Sequence, residues 1–374
     1  MTQKNDLTSV TAGARSRSSR LSGKVRAALT ELGFSAFAIT LALVISALLM
    51  ITLGYDVGLA YQSMFRGAFG SLRGVSQTLL RATPLLFTGF AVAIAFRAGL
   101  FNIGAEGQLY WGALACALVA LTVEGLPKTI AVALPLLAAG LAGFLWGAVP
   151  GILKARTGAH EVITSIMLNS IAIFATTHIT SRYFMAPGAV DQTERIVAAA
   201  VMPQIIPGTG LTAGIFLGIA MAALVAWFFG HTALGYDFQA VGRNVDAAEY
   251  GGVSSKRIQV LAMGFGGMMA GVAGGIVVLS LLNRFVANFS PGYGFTGIAV
   301  AVLGRGNPWG VVLAALLFGA LDSGGMSMQL FARIPSDLTI VVQGLVIILV
   351  AAPAALRAMV RWRKPNKVEP VDVA

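Results

Sequence analysis

The chain has 374 residues, of which 57% are hydrophobic and only 11% charged, with a mean hydropathy of +0.81. A soluble domain carries about 25% charged residues and needs them to cover its surface, so a soluble fold is excluded. The formal net charge of +11 is gathered at the two ends, with no aromatic interleaving and no recognised binding module, so nucleic acid is not the expected partner.

The basic residues at the N-terminal end are Lys4, Arg15, Arg17, Arg20, Lys24 and Arg26. Those at the C-terminal end are Arg357, Arg361, Arg363, Lys364 and Lys367. The bias of basic residues toward the inner side of a membrane assigns both tails, 1–33 and 357–374, to the cytoplasm. Between them the apolar runs are long and continuous, unlike the short alternating strands of a membrane β-barrel, so 34–356 reads as an all-α transmembrane domain. Forty-five glycines suit it, because small residues let membrane helices approach closely.

The first run, 34–53, has the length of about 20 residues needed to cross about 30 Å of hydrocarbon. A signal-peptide core is about 7–15 residues long, so this run reads as an uncleaved helix. Further runs follow at 78–97, 108–123, 129–150, 162–182, 212–229, 258–281, 293–304, 309–329 and 338–356. The run 293–304 is too short to cross if straight and is read as part of a broken or re-entrant element. With the N-terminus inside, Lys154, Arg156, Arg243, Lys256, Arg257 and Arg305 fall inside. The outer loop, 183–211, carries Pro187-Gly188, Pro203 and Pro207-Gly208 and reads as a lid or short surface helix.

Two glycine-rich breaks interrupt the apolar pattern. One is Gly99-Leu-Phe-Asn-Ile-Gly-Ala-Glu-Gly-Gln108, the other Ser290-Pro-Gly-Tyr-Gly-Phe-Thr-Gly297. Each lies between a long run and a short one, which suggests an inverted 5+5 repeat. Paired interruptions of this kind point to a substrate route near the bilayer midplane. Phe101, Asn102, Gly104, Glu106, Gln108, Tyr293, Phe295 and Thr296 are therefore the candidate pathway residues. An ionised carboxylate in mid-membrane costs roughly 2.5–3.5 kcal/mol, so Glu106 should face protein or a water-filled cavity. It can equally complement the dipole of the helix it starts, and the two roles are compatible. Phe101, Tyr293 and Phe295 are either stacking surfaces or packing aromatics. Arg97 is a possible partner of Glu106 or an interfacial anchor. Asp322 lines a pathway or packs a helix, and Thr164, Ser165 and Asn169 are expected to make interhelical hydrogen bonds.

The inner loop, 230–257, contains Asp237, Arg243, Asp246, Glu249, Lys256 and Arg257 between apolar positions. A short amphipathic helix around Ala240–Glu249, stopped by Gly251-Gly252, meets the start and stop signals of helices. It is either a solvated loop or a docking helix for a cytoplasmic partner. No phosphate-binding G-x-x-x-x-G-K-[ST] loop, zinc-protease motif or Cys/His cluster accompanies these features, so no catalytic residue, metal or cofactor is expected. The single Cys116 reads as a small packed hydrophobe.

Taken together, Gly99–Gln108, Glu161–Asn169, Ala240–Gly252 and Gly294–Pro308 resemble the permease subunits of ABC importers. The resemblance is to the branch that takes up simple sugars and nucleosides, over roughly residues 35–355. The form at 102–108 is closest to the nucleoside group. The resemblance implies a second, related permease, identical or not, an ABC ATPase on the cytoplasmic side and a substrate-binding protein outside. It implies the inner membrane of a bacterium as the location. It also implies that the ATPase couples through Val241, Arg243, Val245, Asp246, Ala248 and Glu249, with Val241, Val245 and Ala248 facing its groove. Two positions depart from the family pattern. Residues 244–246 are Asn-Val-Asp where Asn-Pro is common, and His160 stands where Asn is common. An ion-driven secondary transporter is the alternative reading, and a membrane enzyme lacks a catalytic set.

Overall fold

A computed structural model describes Gly33 and residues 37–351. Thirteen helices can be traced among them: α1 (Phe37–Thr52), α2 (Val57–Phe69), α3 (Leu72–Arg97), α4 (Ala105–Ala120), α5 (Lys128–Thr157), α6 (Glu161–Tyr183) and α7 (Gly214–His231), then α8 (Ala233–Arg243), α9 (Val245–Tyr250), α10 (Ser255–Val277), α11 (Tyr293–Leu303), α12 (Pro308–Phe331) and α13 (Ser336–Ala351). The described residues contain no strand beyond two isolated bridges, Gln192 with Val286 and Gln204 with Thr212. Six helices, α3, α5, α6, α7, α10 with its extension to Leu282, and α12, are long and apolar enough to cross a membrane. The basic tails and the last residues of the run 338–356 lie outside the described residues.

Two units divide the chain. One runs from Asp56 to Thr339; the described parts of the other are Gly33, α1 with the residues up to Tyr55, and the portion of α13 from Ile340. The site lies entirely within Asp56–Thr339.

Local signals account for the ends of the elements. Asp56 caps α2 by accepting from the Leu59 N–H at 2.9 Å, and Ser71 caps α3 from the Gly74 N–H at 3.0 Å. Asn307 caps α12 just before Pro308, whose missing N–H costs nothing in a first turn. Gly158 closes α5 with φ +72°, a conformation that glycine adopts without strain. The sequence pattern places a membrane segment at 78–97, but α3 begins at Leu72, and α2 precedes it. Gln62, Arg66, Arg73 and Gln77 make that stretch too polar to stand out as an apolar run.

Burial identifies the inner helix. The most apolar stretch of α3 is 83% buried, compared with 22% for that of α6, so α3 lies inside the bundle and α6 on its surface. The helix α10 packs on α3 and presses backbone to backbone against α5: a Cβ on Gly143, Gly267 or Gly271 would collide with the facing helix. Such contact is available only to small residues and replaces the hydrophobic drive that lipid cannot supply. At one end of α3, Gln77 donates to the Thr209 carbonyl of the 183–211 loop at 2.8 Å. At the other end, Arg97 meets α8. The loops assigned to opposite sides of the membrane thus lie at opposite ends of the innermost helix.

Candidate functional site at the junction of two broken segments

The first break follows the end of α3. Gly99 has φ +73°, which turns the chain away from the helix axis and leads into α4. Inside the turn, the Asn102 and Gln108 side-chain amides form a reciprocal pair, each donating to the other at 3.0 Å. Both are essentially inaccessible to solvent, so the pair satisfies amides that would otherwise be costly to bury. Asn169 of α6 clamps the same turn. It accepts from the Gly107 N–H at 2.8 Å and donates to the Ile103 carbonyl at 2.9 Å. The expectation of interhelical hydrogen bonds from α6 holds for Asn169, whose target is the break itself, whereas Thr164 and Ser165 donate to carbonyls of their own helix and its cap.

The second break precedes α11. Ser290 Oγ accepts from the N–H groups of Gly292 and Tyr293, both at 3.1 Å, and Gly292 adopts φ +95°. The helix that follows has 11 residues; at 1.5 Å per residue it covers about 17 Å, well short of about 30 Å of hydrocarbon.

The two breaks meet. The Gly294 N–H, in the first turn of α11, donates to Glu106 Oε2 at 2.6 Å. The Ser290 side chain lies beside the same carboxylate. The Ser290 N–H also donates to the Tyr110 hydroxyl at 3.3 Å, one turn further along α4. A Cβ on Gly294 would collide with the Glu106 backbone, so glycine is needed for this approach. Glu106 is buried, with 3% exposure, and lies in the first turn of α4 while capping α11. It therefore faces the positive ends of two helix dipoles, which offset the cost of burying a carboxylate.

Of the other candidate residues, Gly104 is enclosed by Asn102, Gln108 and Ser165. Tyr293 and Thr296 are half-buried, while Phe295 is exposed. Phe101 is exposed and rests on Phe96, with ring centroids 4.6 Å apart. Arg97 does not pair with Glu106. It donates to the Gly306 carbonyl at 3.0 Å and lies 5.3 Å from the centre of the Phe229 ring. It anchors the end of α3 to the α11–α12 turn.

The inner loop folds into α8 and α9, with the break at Asn244. Residue 244 is extended, and its side chain caps α9 by accepting from the Ala247 N–H at 2.9 Å. The single helix expected over Ala240–Glu249 is thus two, because Asn244 competes for the backbone N–H groups. Arg243, Val245, Asp246 and Glu249 are exposed. Val241 and Ala248 are turned into the chain, with 3% and 6% exposure, and not outward as expected. The outward apolar side chains at this end are Val245 and, beyond the expected contact residues, Tyr250, which is 95% exposed. Glu249 accepts from the Ser255 hydroxyl.

Sequence reasoning also passed over Arg81. It lies within an apolar run on α3 and pairs with Asp322 of α12 at 2.6 Å. The available signal was a lone arginine inside a membrane segment, which is rare without a functional reason.

These features define a multi-pass helical membrane protein in which a carboxylate of one interrupted segment caps the short helix of the other. The family described as the branched-chain amino acid transport system / permease component matches residues 74–351, and the chain belongs to it. It is 38% identical to the guanosine ABC transporter permease protein NupP of Bacillus subtilis, over 88% of this chain and 95% of that one. It is 33% identical to the nucleoside ABC transporter permease protein NupB of Lactococcus lactis, over 93% and 97% of the two chains. It is 36% identical to the glucose ABC transporter permease protein TsgB13 of Haloferax volcanii, over 82% and 83%. Among solved structures, an inward-facing metal-chelate type ABC transporter matches 89% of this chain and all of that one. At 15% identity and a TM-score of 0.39, that likeness carries no argument.

Proposed function

We propose that this chain is the permease subunit of an ABC importer in a bacterial inner membrane, and that it carries a nucleoside or a simple sugar. Family membership supports the permease role, and the named relatives support the solute class. The observation that carries the pathway assignment is the Glu106–Gly294 contact, which brings two interrupted segments together. Half-helix ends with unwound backbone are where membrane transporters present polar groups to a solute. Asn102, Gly104, Glu106 and Gln108 would form the buried frame of that route, and Tyr293 and Thr296 its half-buried wall. Phe101 and Phe295 supply exposed rings.

Both termini would be cytoplasmic, with ten membrane segments in two inverted halves. The succession α3, break, α4, α5 has its counterpart in α10, break, α11, α12, which supports that reading. The motor would lie on separate ATPase chains docked at α8 and α9, with Arg243, Val245, Asp246, Glu249 and Tyr250 as the contact surface. A second permease would complete the membrane part, and an external binding protein would deliver the solute. The test is ATP-driven uptake of labelled guanosine and glucose by the assembled complex in proteoliposomes. Uptake of both solutes by this chain alone, driven by an ion gradient without ATP, would favour a secondary transporter instead.

A further inference from the structure

The carboxyl end of α5 and the amino end of α10 lie together, on the side of the bundle that carries α8 and α9. Gly151 sets their approach, since a Cβ there would stand 2.9 Å from the Val260 Cα. Beyond that contact, the end of α5 and the start of α10 border a cavity of about 420 Å³. That volume lies within the range of about 300–1,000 Å³ found for small-molecule sites.

Three cations line it from segments far apart in the chain: Arg156 of α5, and Lys256 and Arg257 of α10. The rest of the lining is apolar, with Ile152, Val260 and Leu261 among it, and it contains no acidic side chain. None of the three cations has an ion-pair partner among the described residues. Lys154 gives the contrast: two residues before Arg156, it is paired with Glu161 at 2.6 Å. Membrane topology requires only that basic residues gather at this end. It does not require three of them to surround one apolar cavity without a counter-charge, where they repel each other.

The apolar part of the lining continues along α5. Leu145, Leu141 and Leu137 lie about two, three and four turns behind Ile152, on the same face of the helix at 3.6 residues per turn. Each is more than half exposed. From Ile152 to Leu137 this stripe covers about 22 Å at 1.5 Å per residue, more than half of the roughly 30 Å of hydrocarbon. The surface thus joins a cluster of cations to an apolar track as long as one leaflet is deep.

We propose that this cavity binds an anionic phospholipid of the leaflet at that end, with its phosphodiester held by Arg156, Lys256 and Arg257 and an acyl chain along the α5 stripe. The inference goes beyond the importer reading and does not depend on the solute carried. Guanidinium groups meet phosphate oxygens through paired hydrogen bonds, and lysine adds a point charge. Basic cavities between membrane helices on the cytoplasmic side hold anionic lipid head groups in this way. A zwitterionic lipid brings its own cation into a cavity whose lining has no carboxylate to meet it, so the site selects a net negative head group. Free phosphate would satisfy the cations but leave the apolar stripe uncovered.

The test is native mass spectrometry of the full chain in detergent, with phosphatidylglycerol and phosphatidylethanolamine as probes. Phosphatidylglycerol is expected to bind at least tenfold more tightly, and equal binding of the two by the unmodified chain would overturn the proposal. Combining Arg156→Gln, Lys256→Gln and Arg257→Gln should remove the preference. Arg66→Gln with Arg73→Gln, which removes two exposed arginines near the start of α3, should leave it intact. Equal loss in both variants would show general attraction to a basic chain and overturn the site. Neither inorganic phosphate nor glycerophosphoglycerol, the head group without acyl chains, should displace the lipid at tenfold excess. Displacement by either would make this a free-anion site and overturn the lipid assignment. A triple variant that keeps its lipid preference but loses copurification of the ATPase would give the cavity to a protein contact instead.

Discussion

The backbone N–H of Gly294 donates to the Glu106 carboxylate at 2.6 Å, joining two glycine-rich breaks that lie 188 residues apart in the chain. The carboxylate caps α11 from the first turn of α4, so one side chain fixes the relative position of both short helices. Replacing it by alanine leaves the buried Gly294 N–H without its acceptor, a cost of about 1–3 kcal/mol. Glu106→Ala is expected to reduce uptake more than tenfold in a complex that still assembles, and Glu106→Gln, which keeps an acceptor oxygen, to retain a substantial part. Copurification and initial uptake rates check both. Loss of assembly in Glu106→Ala would make the residue a brace alone.

The Asn102–Gln108 pair makes a contrasting prediction. Either single alanine substitution strands a buried amide and should lower stability by about 1–3 kcal/mol. The double variant Asn102→Leu with Gln108→Met strands neither and should recover most of that loss, as thermal unfolding in detergent would show. Uptake by the double variant should stay low, because the route has lost its polar frame. Full uptake would remove both residues from the pathway.

Gly242 offers a test of how the cytoplasmic helices reach the break. A Cβ on Gly99 would stand 3.3 Å from the Gly242 Cα, and one on Gly242 would collide with the Arg97 carbonyl. The end of α8 therefore touches the start of the first break through backbone alone. Gly242→Val must push α8 away, with an overpacking cost of about 1–3 kcal/mol. The expected result is ATPase activity that no longer responds to loaded binding protein, measured alongside uptake. Normal stimulation would exclude transmission through this contact.

Arg243 and Tyr250 probe the proposed docking surface. Arg243→Glu is expected to uncouple uptake from ATP hydrolysis with normal expression, and Tyr250→Ala to weaken copurification of the ATPase at least tenfold. Val241→Ala should instead act on stability, since that side chain is buried in the chain. Unimpaired stimulated ATPase activity and uptake in Arg243→Glu would place the coupling surface elsewhere.

What the sequence revealed depended on whether the signal was local. The break at Gly99–Gln108 was legible because glycines and polar residues interrupt an apolar run. The cap role of Glu106 was legible as an alternative, but the helix it caps was not, because Gly294 lies too far along the chain. The helix α2 and the first turns of α3 were hidden because Gln62, Arg66, Arg73 and Gln77 break up the apolar pattern there. The inward turn of Val241 and Ala248 was hidden because the resemblance implies the role of the segment without showing which way each apolar side chain turns. Asn244 also divides the helix. Arg81 was overlooked because its partner, Asp322, is 241 residues away.

The central claim is that this chain forms the solute route of an ATP-driven importer, with that route passing the joined breaks. The most direct measurement is uptake of labelled guanosine and glucose by proteoliposomes containing this chain, a related permease, the ATPase and the binding protein. ATP inside the cytoplasmic-facing compartment should drive accumulation of at least one solute, and Glu106→Ala should abolish most of it. Uptake that proceeds without ATP, or that is indifferent to Glu106, would contradict the account.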